Sequence, residues 1–253
     1  MSTLQGTVAA AARLQWLHHR LTRDGAVTIV EAADALGVSE MTVRRDLAEL
    51  EERGTARRVR GGATAAGPIP FAERHSVARR AKSRIAGKLA SLVPESGLVA
   101  FDASSTVLRL ASTLDAARDL RVLTNSMETF AALQGQPGLE PLLTGGRLDP
   151  QTGSLVGPLA CRSASQFRVD VFFASAAAVD PVAGALEATL DEAEVKRSIA
   201  DGAASVVVAV DASKLDGRAS AVGLDWDAID TLVTDLDPAD DRLSPYRRLA
   251  RVL

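Results

Sequence analysis

Leu14, Leu17 and Leu21 recur three and four positions apart within residues 9 to 23, the spacing that lines one face of an amphipathic helix. A second helix is predicted over Ile29 to Leu36. Thr28 followed three residues later by Glu31 forms a capping-box pattern, and Gly37 supplies the stop. The short turn Gly37-Val38 leads to Ser39, which can cap a third helix running to about Arg53, where Gly54 ends it. Two helices joined by a glycine-containing turn make a helix-turn-helix. After Gly54, the run Thr55 to Arg60 closed by Gly61-Gly62 predicts a short basic hairpin, a wing.

From Thr64 to Ala72 the chain combines small residues with Pro68 and Pro70 and reads as a semi-rigid connector. The expected organisation is therefore a winged helix-turn-helix domain over residues 1–63, a linker over 64–72 and a larger domain over 73–253. Beyond the linker, Ser76 to Val93 looks helical, and short apolar runs then alternate with amphipathic stretches, which predicts an α/β domain with a largely parallel sheet. The apolar tail Leu249 to Leu253 fits either an edge strand or an interface.

Each apolar run ends on small or polar residues. Val99 to Phe101 meets Asp102; Val122-Leu123 meets Thr124, Asn125 and Ser126; Leu142-Leu143 meets Thr144, Gly145 and Gly146. Val171 to Phe173 meets Ala174-Ser175, and Val206 to Val210 meets Asp211, Ala212, Ser213 and Lys214. Ligands of open α/β sheets bind outside the carboxyl ends of the strands, so these tips should line one crevice. Predicted helix starts after Ser105 and Ser126 would offer backbone N–H groups to an anion such as phosphate. Lys196, in a predicted helix of about residues 191 to 203, and Lys214 are candidate counter-charges; the bland alternative pairs Lys196 with Glu192 on an exposed helix.

In the third helix Val43, Leu47 and Leu50 share a face, and Met41, Arg45 and Ala48 lie opposite, flanked by Thr42 and Arg44. Arginine can bond guanine edges or phosphates from the first half of such a helix, which nominates Ser39, Met41, Thr42, Arg44 and Arg45. Arg57, Arg58 and Arg60 of the wing would add backbone affinity. The alternative is a solvated face whose arginines pair with Asp46, Glu49 and Glu52.

The 253 residues and 47% hydrophobic content suffice for two cores. The net charge of −3 argues against a chain-wide grip on nucleic acid, yet the residues after 66 hold 20 basic and 24 acidic side chains, so positive charge concentrates in the N-terminal part. Cys161 alone forms no internal disulfide, and His18, His19 and His75 show no zinc-ligand spacing. No cofactor or metal is expected. No apolar run reaches the ~18 residues of a membrane helix and no signal-like start is seen, so a soluble cytoplasmic protein is expected.

The stretch Val38 to Leu47, with Leu50-Glu51, Gly54 and Arg58 to Ala63, closely resembles the winged helix-turn-helix signature of DeoR-family transcriptional regulators. The resemblance implies that residues 39 to 53 form the DNA-reading helix and that the chain represses genes of sugar catabolism. The second half resembles the DeoR sensor domain, itself similar to ribose-5-phosphate isomerase and CoA-transferase folds. Its matching pieces are Asp102 to Thr106, Thr124 to Ser126, Gly145-Gly146, Gly157, Asp170, Glu194 to Lys196 and Asp211 to Lys214. By that resemblance Asp102, Ser105, Thr106, Thr124, Asn125 and Lys196 take the effector, with Ser104, Ser126, Gly145 and Lys214 beside them.

Two departures stand out. Ser104 replaces the glycine and Val107 the second threonine of the first loop, and Ser175 to Ala178 lack a glycine, which predicts a narrowed or reshaped pocket. Three functions follow. The first is a repressor that binds double-stranded operator DNA as a homo-oligomer under control of a phosphorylated sugar; the others are a sugar-phosphate isomerase-like enzyme and a DNA-binding protein whose second domain only oligomerises.

Overall fold

Helix α1 (Ser2–Asp24) buries Leu14, Leu17 and Leu21 on one face, as their spacing predicts. It begins seven residues before the predicted start, because a helix once nucleated extends through neutral sequence at little cost. Strand β1 (Ala26–Thr28) follows, then α2 (Ile29–Leu36) and α3 (Glu40–Glu52). At Thr28 the capping box closes in both directions: Glu31 N–H donates to Thr28 Oγ1 at 3.2 Å and Thr28 N–H to Glu31 Oε2 at 3.3 Å. Gly37 ends α2 with φ of 63°, a left-handed turn that glycine adopts without a Cβ penalty. Ser39 caps α3 by accepting from Thr42 N–H at 3.2 Å.

The wing is strand β2 (Ala56–Val59) paired antiparallel with β3 (Gly62–Ala65), and β1 adds to β3 to give the order β1-β3-β2. Sequence patterning missed β1, whose three residues are too short to show a period. A Cβ on Gly62 would stand 2.1 Å from the Val27 carbonyl oxygen, so this strand pairing depends on glycine. Val43, Leu47 and Leu50 pack with the α1 leucines, Val27, Ile29 and Ala32 into one core.

This computed structural model describes residues 2–52, 56–65, 78–114, 119–150 and 152–253. Arg53, Gly54, Thr55, linker residues 66 to 72 and the Ser76 helix start lie outside them. The chain divides into two units, Met1–Gly67 and Pro68–Leu253.

The second unit begins with α4 (Arg79–Ala90), shorter than predicted at its carboxyl end. Next come β4 (Ser96–Phe101), α5 (Ser105–Ala111), β5 (Asp119–Thr124), α6 (Met127–Leu133) and β6 (Leu139–Leu143). A small hairpin of β7 (Arg147–Leu148) and β8 (Leu155–Val156) leads to α7 (Pro158–Ala164) and β9 (Val171–Ala174). Then follow β10 (Ala178–Asp180), β11 (Gly184–Glu187), α8 (Leu190–Ala200) and β12 (Val206–Ala209). The chain closes with β13 (Ala221–Leu224), β14 (Thr231–Val233) and β15 (Arg251–Val252).

Seven of these strands form a parallel sheet ordered β15-β14-β12-β9-β4-β5-β6, and β10, β11 and β13 make a separate antiparallel sheet. The tail is thus an edge strand. Neighbouring residues feed opposite faces: Phe172 packs with Val195 and Ile199 of α8, while Phe173 packs with Ile85 of α4 and Leu110 of α5. A sheet covered on both sides needs unbroken apolar strands, which is why its runs lack polar alternation. Among the described residues no helix is long and apolar enough to cross a membrane, and no group of His, Cys, Asp or Glu could hold a metal ion.

Candidate functional site

The exposed side of α3 begins with Met41, which is 74% exposed, and continues with Arg44 and Arg45. These residues differ in their freedom. Arg44 lies 3.4 Å from Glu40, and wing residue Arg58 lies 3.8 Å from Glu51, whose other oxygen accepts the Arg58 N–H at 2.9 Å. Arg45 and Arg60 carry no ion pair among the described residues and face solvent. Asp46 is not a partner of either Arg44 or Arg45, as the solvated-face alternative required. It is buried and receives Arg13 Nε of α1 at 2.7 Å. The helix therefore spends its inward carboxylate Asp46 on holding itself against α1, and leaves Arg45 without an ion pair among the described residues. Ser39 and Thr42 meet at the cap, and Arg57 lies on β2 beside Thr64 of β3.

In the second unit, the carboxyl edge of the sheet gathers a buried polar cluster. Asp102 follows β4; its Oδ1 accepts Ser104 N–H at 3.1 Å and its Oδ2 accepts Ser175 N–H at 2.7 Å, which ties the β4 tip to the β9 tip. Lys196 of α8 reaches the same carboxylate at 3.2 Å and also donates to Glu187 and to the Ser175 carbonyl. Lys196 thus pairs with Asp102 and Glu187 rather than with Glu192, because its side chain points into the sheet edge and is buried. Burial alone would lower its pKa, but the carboxylates of Glu187 and Asp102 outweigh that and hold the ammonium above the ordinary lysine value. Burial pushes the Glu187 carboxyl up to about 7 despite the lysine, with Glu192 and Asp102 adding to the rise.

The neighbouring tip carries Thr124, Asn125 and Ser126. Phe101 and Thr124 are register partners, so Asp102 and Asn125 leave adjacent strands. Asn125 Nδ2 donates to the Leu155 carbonyl at 3.3 Å and Leu155 N–H to the Asn125 carbonyl at 2.7 Å. Thr144 N–H donates to the Thr124 carbonyl at 3.0 Å, which brings Gly145 to the same edge. Lys214 donates to the Ala176 carbonyl, one residue past Ser175. Asn125 Oδ1 and Ser175 Oγ at these strand tips, and Thr129 Oγ1 in the first turn of α6, are buried with no hydrogen-bond partner among the described residues. Unsatisfied buried groups cost free energy and ask for an explanation.

The helix predicted to start after Ser126 does so at Met127, and the one predicted after Ser105 starts one residue earlier. α5 begins at Ser105 itself, capped by Ser104 Oγ accepting Val107 N–H at 3.1 Å, and α6 is capped by Ser126 Oγ accepting Thr129 N–H at 3.1 Å. Ser104 has φ of −102° and no residue from Ser175 to Ala178 has positive φ, so the absent glycines demand no strained backbone. Val107 is core. Glu187 escaped sequence reasoning; its only signal was one acid within the apolar run Gly184 to Ala188, where a buried charge needs a partner.

A winged helix-turn-helix with outward arginines, followed by an α/β unit with an enclosed polar edge, defines a two-part DNA-binding regulator. Residues 13–68 match the family profile described as the DeoR-like helix-turn-helix domain, and residues 77–236 match the DeoR C terminal sensor domain. The chain belongs to the DeoR family of transcriptional regulators. It is 30% identical to the glycerol-3-phosphate regulon repressor of Escherichia coli K12, over 85% of this chain and 87% of that one. It is 31% identical to the regulator GolR of Listeria innocua, over 86% and 87%. Among solved structures it resembles ribose 5 phosphate isomerase A of Neisseria gonorrhoeae, at 17% identity and a TM-score of 0.38, covering 54% of this chain and 53% of that one.

Proposed function

We propose that this regulator is a homo-oligomeric repressor that reads operator DNA with α3 and its wing, and that a phosphorylated sugar bound at the sheet edge controls it. The observation that carries the effector reading is the juxtaposition of Asp102, Lys196 and Glu187 with the unpartnered Asn125 Oδ1 and Ser175 Oγ on one buried edge. Lys196 is already matched by two carboxylates, so it is not a spare counter-ion for phosphate. The phosphoryl group belongs with the hydroxyl and N–H groups of Ser104 to Thr106 and Thr124 to Ser126, with Gly145 beside them. Asp102, Glu187 and Lys196 suit the sugar hydroxyls, which both donate and accept. Lys214 fixes the loop at Ala176.

The relative named glycerol-3-phosphate regulon repressor supports a phosphorylated ligand. DNA contact is assigned to Ser39, Met41, Thr42, Arg44, Arg45, Arg57, Arg58 and Arg60. The sensor acts by binding and not by turnover: a ligand that prefers one conformation shifts DNA affinity through that difference alone. Oligomerisation follows from the need to engage paired half-sites.

The test is fluorescence anisotropy on labelled DNA from upstream of the chain's own gene, at fixed salt, with glycerol 3-phosphate, ribose 5-phosphate and hexose phosphates added in turn. One of them should shift the binding curve, and Asn125→Ala should abolish the shift while leaving DNA binding intact. Specific binding unmoved by every phosphosugar would sink the effector reading, turnover of any of them would sink the non-enzyme reading, and a monomer by light scattering would sink the oligomer.

A further inference from the structure

Helix α4 (Arg79–Ala90) carries Arg79, Arg80, Lys82, Arg84 and Lys88 and not one acid. Two of these cations serve the fold: Lys82 is buried, and Lys88 donates to the Thr234 and Leu236 carbonyls at 2.8 and 2.7 Å. The other three, Arg79, Arg80 and Arg84, are exposed and have no ion pair among the described residues. Arg80 and Arg84 stand four residues apart, a like-charge spacing that costs an isolated helix a few tenths of a kcal/mol. Acids outnumber bases by 24 to 20 after residue 66, yet none of them pairs with these three arginines among the described residues.

A second observation lies on the same face. Arg109, from the last turn of α5, sets Nη1 3.5 Å from Ser83 Oγ of α4, and its Nε is sealed from solvent without an acceptor. The outer nitrogens of Arg109 stand beside Ser83, on the helix whose Arg79, Arg80 and Arg84 carry no ion pair among the described residues, and such a surface suits an anion with several charges at fixed spacing. Arginine forks match phosphate oxygens in that role better than they match a diffuse ion atmosphere.

We propose that this face, Arg79, Arg80 and Arg84 with Arg109, is a second surface of this chain that takes the phosphate backbone of duplex DNA. The proposal rests on the chain binding DNA through its first unit. Chain connectivity favours DNA over other polyanions. α4 begins 14 residues after β3, the last strand of the wing, so this charged face belongs to the same chain that binds DNA. Such contacts carry no sequence information and act through counter-ion release, each neutralised phosphate adding about 0.9 to the salt slope of binding. α5 begins with Ser105 and Thr106 of the proposed effector site and ends with Arg109, so one helix touches both ligands' surfaces.

The experiment compares the full chain with the triple variant Arg79→Gln, Arg80→Gln, Arg84→Gln by fluorescence anisotropy over a salt series. The duplexes are the upstream sequence and a scrambled one of equal length, each long enough to extend about one helical turn beyond the α3 contacts on both sides. The slope of log K against log salt should shrink by about 2 to 3, with affinity for both duplexes falling by the same factor, so that their ratio stays put. The charge-preserving variant Arg79→Lys, Arg80→Lys, Arg84→Lys should keep most of the slope, which separates lost charge from a damaged helix. An unchanged slope in the glutamine variant would overturn the proposal. So would loss of binding to phosphatidylserine vesicles with DNA binding unmoved, because the face would then serve a membrane. Failure of the unaltered chain to bind either duplex would overturn the DNA reading itself and this inference with it.

Discussion

Arg13 Nε of the first helix lies 2.7 Å from Asp46 Oδ2, on the buried side of the reading helix. The second guanidinium nitrogen reaches Asp46 Oδ1 at 3.2 Å, so the contact is a two-point clamp. Removing Arg13 strands a carboxylate whose side chain is 3% exposed. Arg13→Ala should therefore destabilise the first unit by about 2 kcal/mol. Thermal unfolding followed by circular dichroism checks this; a melting curve matching the unaltered chain would show that solvent replaces the clamp.

The unequal pairing of the arginines predicts unequal effects on DNA. Arg45 carries no ion pair among the described residues, so Arg45→Ala should cost about 1 to 3 kcal/mol on the preferred sequence and relax discrimination against a scrambled duplex. Arg58 must leave Glu51 to meet a phosphate, so Arg58→Ala should weaken both duplexes alike and reduce the salt slope by at most about 1. Anisotropy titrations on the two duplexes distinguish these patterns, and the reverse assignment would refute the ranking.

Glu187 gives the sensor unit a pH signature. Its carboxyl is pushed up from 4.5 to about 7 because burial disfavours its charge, although Lys196 opposes this. The facing groups are Lys196 and Glu192 of α8 and Asp102 at the β4 tip. A raised folded-state pKa means that the folded protein keeps a proton the unfolded chain has lost. The stability it contributes is full below about pH 4.5 and disappears as pH rises through about 7. Urea unfolding of the chain should thus show stability falling across that window, and Glu187→Gln should flatten the fall. Equal slopes for both proteins would contradict the assignment.

Gly62 predicts a backbone effect. With 2.1 Å between a Cβ there and the Val27 carbonyl oxygen, Gly62→Ala must part β1 from β3. A loss of roughly 2 kcal/mol or more in the first unit is expected, together with weaker DNA binding. Hydrogen exchange of the amides of 26–28 and 62–64 measures it; unchanged protection would mean the strands shift without separating.

Local chemistry made much of this protein legible from its sequence. The Thr28/Glu31 capping box, the Gly37 stop, the Ser39 cap and the leucine spacing of α1 are each settled within a few residues of chain, so the helix-turn-helix follows from them directly. The parallel sheet was equally readable, since strands covered on both faces must be apolar throughout. Pairings across long separations were not. Nothing local to Asp46 points to Arg13, 33 residues away, and nothing local to Lys196 points to Asp102 instead of Glu192 one turn back. Glu187 entered the cluster only because the turn between β11 and α8 folds it against that lysine. The sequence by itself determined the elements and which residues end them; the tertiary structure alone decided which charges meet, because a buried ion takes whatever partner the packed chain brings within about 3 Å.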